Sequence, residues 1–149
     1  MRMRGNTPAK VDAQGRLKIP TGHRRILEEE YGPQVELFVT SVDGENVLVY
    51  PLAEWEKIEA KLLEPPKMRP AKQRFLRNTS YFGQLTSMDA QGRVLIPQHL
   101  RERASIDGEV VVIGQLNHLE VWNHEKFLQE MEAHPFTSAD AEALAELGI

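Results

Sequence analysis

The chain has 149 residues, 41% apolar and 27% charged, which suffices for one compact domain or two small ones and excludes disorder throughout. It contains no cysteine, so disulfides, thiolate metal sites and cysteine nucleophiles are all excluded. The formal charge of -4 speaks against a uniformly basic nucleic-acid binder, but residues 1–25 hold seven Lys or Arg against one Asp, and residues 66–82 hold five against none.

Met1-Arg2-Met3-Arg4-Gly5 opens onto no apolar run and no long apolar stretch follows, which predicts a cytosolic chain with neither signal peptide nor membrane span. Lys10-Val11 and Leu17-Lys18-Ile19 flank Asp12-Ala13-Gln14-Gly15, predicting two short antiparallel strands whose turn is closed by a left-handed Gly15. Pro20 then suits the start of a helix over Thr21 to Tyr31, which Gly32 and Pro33 stop. Val35 to Val42 and Asn46 to Tyr50 predict a hairpin about Asp43-Gly44. Leu52, Trp55, Ile58 and Leu62 share one face of a following helix, assigned to the core. Glu64 to Pro70 is a linker, and Ala71 to Arg77 a basic helix leading into Tyr81-Phe82, with cations available to phosphate.

At this point the sequence repeats itself. Asp12-Ala13-Gln14-Gly15-Arg16-Leu17-Lys18-Ile19-Pro20 returns as Asp89-Ala90-Gln91-Gly92-Arg93-Val94-Leu95-Ile96-Pro97, 77 residues later. Downstream, Asn46 to Pro51 and Trp55 find counterparts in His118 to Asn123 and Phe127, with the offset reduced to 72. The second copy therefore predicts the same elements: a hairpin, a helix over Gln98 to Ala104, strands over Val110 to Ile113 and Leu119 to Trp122, and a helix whose Phe127, Leu128 and Met131 face the core. Thr137 to Ile149 is a short acidic helix capped by Ser138 and stopped by Gly148, placed at the periphery. The boundaries are a first unit over 8–53, a helix, Pro-rich linker and basic helix over 54–81, a second unit over 82–125, and a C-terminal helix and tail over 126–149.

In the repeated motif Asp12 or Asp89 can accept backbone N–H groups within the turn, Gly15 or Gly92 supplies the unusual angle, and Arg16 or Arg93 leaves to one side. An arginine so placed can bond guanine O6 and N7 bidentately or hold a phosphate. The competing reading is a structural Asp–Arg pair that only locks a hairpin.

Asp-x-x-x-Arg followed by an apolar-x-Ile-Pro segment resembles the signature of the AbrB-like DNA-binding fold, in which swapped hairpins from two halves interlace. Two copies in one chain, with Met3-Arg4-Gly5, Tyr50-Pro51-Leu52, Trp55-Glu56 and Val112-Ile113-Gly114-Gln115-Leu116-Asn117, are similar to the MraZ family. The resemblance runs over nearly the whole chain and weakens in the tail. It implies an α+β, β-rich fold of two tandem swapped-hairpin units that form a pseudo-two-fold β-barrel domain with flanking helices. It further implies a nucleoid-associated transcriptional regulator, a repressor of its own division and cell-wall gene cluster. Its partners would be double-stranded DNA carrying short direct repeats and further copies of itself in a ring. On that basis Arg16, Arg93, Lys10 and Lys18 contact DNA, while Asp12, Gly15, Asp89 and Gly92 shape the turns. Two departures stand out: Met3 matches the family's usual start, and Lys18 has only Leu95 opposite it in the repeat.

An enzyme is not expected. The five histidines show no zinc-type spacing, and neither a glycine-rich phosphate loop nor a Gly-x-Ser-x-Gly elbow occurs, so no cofactor, metal or small-molecule substrate is implied. The alternative kept open is an antitoxin-like or scaffold module of the same fold that binds another protein.

Overall fold

The computed structural model describes residues 1–66 and 69–149; Lys67 and Met68, in the predicted linker, lie outside the described residues. In chain order the elements are β1 (Asn6–Val11), β2 (Arg16–Lys18), α1 (Thr21–Tyr31), β3 (Glu36–Thr40), β4 (Val47–Pro51), α2 (Leu52–Leu62) and α3 (Pro70–Phe82). They continue with β5 (Gln84–Ser87), β6 (Arg93–Leu95), α4 (Gln98–Ala104), β7 (Gly108–Gly114), β8 (Leu119–Asn123), α5 (His124–Ala133) and α6 (Ser138–Ala145). Pro20 and Pro97 both sit at helix N-caps, where a missing N–H costs nothing. Gly32, at φ +85°, ends α1 by donating its N–H to the Glu28 carbonyl at 2.7 Å.

The eight strands form one antiparallel sheet in the order β5-β3-β4-β8-β7-β1-β2-β6, which curls into a nearly closed barrel as β5 comes round to β6. Its pairings cross between the two copies of the repeat. β1 pairs with β7 from Asn6 opposite Ile113 to Val11 opposite Gly108, whereas only Val11 and Leu17 pair within the first hairpin. β5 pairs with β3, the counterpart of β1 with β7. β2 pairs with β6 with Leu17 opposite Val94, and β4 pairs with β8 with Leu48 opposite Glu120. These opposing residues differ by the repeat offsets of 77 and 72, so a pseudo-two-fold axis passes through both pairs. This is the interlaced, tandem swapped-hairpin barrel that the repeat and its family resemblance led one to expect.

A single hydrophobic cluster fills the barrel and draws on both halves. Leu17, Leu37, Val39, Val47, Val94, Ile96, Leu100, Val112, Leu119 and Val121 are fully enclosed. Burying such side chains contributes on the order of 1.5–3 kcal/mol each relative to leaving them exposed. Beside the barrel, Trp55 of α2 packs between Phe38, Tyr50 and Phe75, with ring centroids 5.0, 5.1 and 6.0 Å away, and so ties α2 and α3 to β3 and β4. At the N-terminus Met3 is wholly buried and exchanges backbone hydrogen bonds with Leu116. Gly114 lies beneath this segment with no room for a side chain, since a Cβ would fall 2.4 Å from the Arg4 nitrogen.

Four expectations need correction. The hairpin about Asp43-Gly44 forms, but its first strand ends at Thr40 and not at Val42: the ladder stops at Thr40 opposite Leu48, and Ser41 and Asp43 side chains accept the N–H groups of Gly44 and Glu45. The basic helix is longer than Ala71 to Arg77 and absorbs Tyr81-Phe82. The C-terminal helix is capped by Thr137, not Ser138, because Thr137 and Asp140 form a reciprocal capping box. Finally, the apolar face of α5 is not core: Leu128 and Met131 are each 47% exposed, since α5 lies on the outside of β7 and β8.

Candidate nucleic-acid interface

Both Asp-Ala-Gln-Gly-Arg turns fold alike because each is closed by its own side chain. Asp12 Oδ1 accepts the Gln14 and Arg16 backbone N–H groups at 3.0 and 2.9 Å, and its Oδ2 accepts from Arg16 Nε at 3.0 Å. Asp89 does the same for Gln91, for the Arg93 backbone and for Arg93 Nε, each at 2.9 Å. Gly15 and Gly92 take φ of +84° and +75° and donate back to the Asp12 and Asp89 carbonyls. The structural reading of the Asp–Arg pair is thus fulfilled along one edge of each guanidinium. Nε is engaged, and the terminal nitrogens of Arg16 have no other hydrogen-bond partner among the described residues. That leaves the planar fork through which arginine addresses a guanine edge or a phosphate.

The two turns are held against each other. Ile19 donates to the Gly92 carbonyl and Ile96 to the Gly15 carbonyl, both at 2.9 Å, and Arg93 Nη1 lies 3.8 Å from Asp12 Oδ2. Each turn also rests on an arginine of the opposite half. Arg24 of α1 reaches under Gly92, donating to the Ala90 carbonyl at 3.1 Å and pairing with Glu28 at 2.8 Å. Arg101 of α4 lies under Gly15 and donates to the Ile96 carbonyl at 2.9 Å. Arg24 and Arg101 were missed by the sequence reading, although they too are 77 residues apart, and extending the self-comparison four residues past Pro20 finds them.

Symmetry fails in the neighbours. Arg16 stands opposite Leu95 across the β2–β6 ladder, whereas Arg93 stands opposite the exposed Lys18, so positive charge is concentrated on one side of the pair. Lys10 belongs elsewhere: it is exposed on β1 opposite Glu109 of β7, which partly offsets its charge. Of the residues singled out in the sequence, the structure therefore brings together Arg16, Arg93, Lys18, Asp12, Asp89, Gly15 and Gly92, and leaves Lys10 beside an acid. Among the described residues no group of three or more His, Cys, Asp or Glu side chains is arranged to hold a metal, and no helix is long and apolar enough to cross a membrane.

Hydrogen bonds from the Arg16 and Arg93 backbones to the charged carboxylates, foremost among several causes, hold Asp12 and Asp89 below the ordinary aspartate range. A folded-state pKa below the unfolded one contributes stability that is present above the ordinary value of 3.8 and is lost as pH falls through the folded values. Denaturant midpoints of the wild type are therefore expected to drop below about pH 4, and the Asp12→Asn, Asp89→Asn double variant is expected to start lower at neutral pH and fall less steeply. Parallel acid profiles for the two proteins would show that the turn carboxylates contribute nothing to this dependence.

The comparisons with known proteins agree with this architecture. The MraZ family model, described as "MraZ protein, putative antitoxin-like", matches residues 3–78 and 84–147. The chain is 53% identical over 146 residues to a transcriptional regulator MraZ from Acidobacterium capsulatum, covering 98% of this chain and 99% of that protein. It is 45% identical to one from Koribacter versatilis, again over 98% and 99%, and 35% identical to one from Tolumonas auensis over 97% and 91%.

Proposed function

The chain belongs to the MraZ family, and from that premise we propose that it is a DNA-binding transcriptional regulator that reads short direct repeats upstream of its own gene. Its relatives carry the name of transcriptional regulators. The observation that carries the reading is the interlocked pair of turns, in which Asp12 and Asp89 fix the inner edge of two arginines while the outer fork of Arg16 is left without a partner among the described residues. A pre-ordered guanidinium loses little freedom on binding, so each can contribute specificity at low entropic cost. Arg16, Arg93 and Lys18 are the proposed DNA contacts, with Lys10 a peripheral one tempered by Glu109. The target would be the division and cell-wall gene cluster containing its own gene, with repression as the outcome and the nucleoid as its place of action.

An acidic molecule with few cationic contacts per copy gains from acting as several copies, and a ring engaging adjacent repeats supplies that through avidity. The exposed apolar face of α5, with Phe127, Leu128 and Met131 bordering a cavity of about 440 Å³ beside Val111 and Ile113, is the proposed contact between subunits. A second reading, a module that docks another protein, is favoured by the antitoxin-like description of the family and by the C-terminal tail, where Phe136, Leu147 and Ile149 are 71, 72 and 81% exposed. A stoichiometric unrelated protein on purification would speak for it.

The test is fluorescence anisotropy with duplex DNA from upstream of the gene against a scrambled duplex, for wild type, Arg16→Ala and Arg93→Ala. Base readout predicts a loss of discrimination worth about 1–3 kcal/mol for either arginine, with the fold intact by circular dichroism. Equal binding of both duplexes by the wild type would overturn the regulator reading.

A further inference from the structure

Away from the paired turns, a second cationic site lies at the opening of α1. A cavity of about 330 Å³ is lined by Arg2 and Arg4 of the N-terminal segment, Thr7 of β1, and Gly22, His23 and Arg25 of α1. Among the described residues no carboxylate lines it. None of the three arginines takes part in the ion pairs or side-chain hydrogen bonds of the described residues, in contrast to Arg16, Arg24, Arg93 and Arg101, each of which has a partner. Three exposed arginines lining one cavity with no carboxylate among its lining residues make the local field positive and favour an anion there.

The helix adds to the same field. α1 is eleven residues long, its first turn carries no acid, and Pro20 offers no side-chain cap, so the leading N–H groups are left to an external acceptor. Gly22 keeps the approach open, since a Cβ there would meet nothing within 4 Å. His23, in the same first turn, lines the cavity while only 6% exposed, and its Nδ1 has no hydrogen-bond partner. The imidazole thus carries an unmet hydrogen-bonding capacity beside the cavity wall.

We propose that this cavity binds a phosphate group, with Arg2, Arg4 and Arg25 neutralising it and the first-turn N–H groups of α1 donating to its oxygens. The same chemistry has two sources, a free phosphorylated small molecule or a DNA backbone phosphate. The free-anion source stands independently of the regulator reading, and only the backbone source rests on it. Cavities of roughly 300 Å³ fall at the lower end of small-ligand sites, large enough for more than an orthophosphate ion.

Isothermal titration of the full-length protein with inorganic phosphate and pyrophosphate tests the first source, using wild type, Arg25→Gln and Gly22→Asp. The aspartate would stand where the anion binds, and its charge suits the start of a helix, so folding is preserved. Saturable pyrophosphate binding that weakens at least tenfold in Arg25→Gln and disappears in Gly22→Asp assigns the site to a free anion. If neither anion binds, but Arg25→Gln weakens native and scrambled duplexes alike and reduces the slope of log affinity against log salt by about 1, the phosphate belongs to DNA. No anion binding together with an unchanged salt slope overturns the proposal. An Arg16→Ala control separates the two questions, because it should alter duplex discrimination and leave the pyrophosphate titration untouched.

Discussion

Replacing Leu17 with alanine is expected to lower the free energy of unfolding by roughly 3–5 kcal/mol, the upper part of the range for buried leucines. Leu17 is fully buried and stands opposite the equally buried Val94 on the pseudo-two-fold axis. Its strand is paired to β1 on one side and to β6 on the other, so neither neighbour can move in to fill the space without breaking a ladder. Leu95→Ala is the control: it lies on the same ladder but is 40% exposed, and should change stability by no more than about 0.5 kcal/mol. Urea unfolding of both variants decides the matter. Similar losses would mean that the axis is no more tightly packed than the surface beside it.

A larger effect on binding is expected from charging the outer face of α5. Leu128→Glu with Met131→Glu places two carboxylates on a surface where each native side chain is 47% exposed, so the single chain has little to lose in stability. If that face joins subunits, light scattering should show the assembly reduced to small species. Affinity for a duplex with several repeats should then fall by about 10²- to 10⁴-fold, the usual size of an avidity gain, while binding to a single repeat stays unchanged. An intact assembly would place the contact elsewhere. Disassembly without loss of affinity would remove avidity from the mechanism.

Much of this architecture could be read from residues alone, for reasons that are local. The Asp-Ala-Gln-Gly turns announce themselves because one carboxylate and one left-handed glycine close each of them, and the helix starts at Pro20 and Pro97 follow from proline's fixed φ and missing N–H, which are equally local. Partner choice is different. Val11 and Leu17 present the same alternation whether β1 pairs along its length with β2 or with β7, and only the family resemblance anticipated the interlacing. Periodicity likewise identified Phe127, Leu128 and Met131 as one apolar face, but carries no information on what covers it. Thr137 and Ser138 are both acceptable caps, and the deciding signal was Asp140 three residues after Thr137. At the candidate interface the motif arginines were legible, whereas Arg24 and Arg101 were not, because their role is to carry the other half's turn from beneath.

That interlacing governs how the protein comes into being. Asn6 is synthesised early and finds its partner only when Ile113 has emerged, so the first half waits on the ribosome without the strand that completes it. During that wait its open edges are indifferent to whether the missing strands arrive from the same polypeptide or from a neighbour on the same message. Two nascent chains that exchanged halves would form the same ladders, and the covalent tether that carries α2 and α3 raises the effective concentration of one half around the other, so closure within one polypeptide is favoured at low concentration.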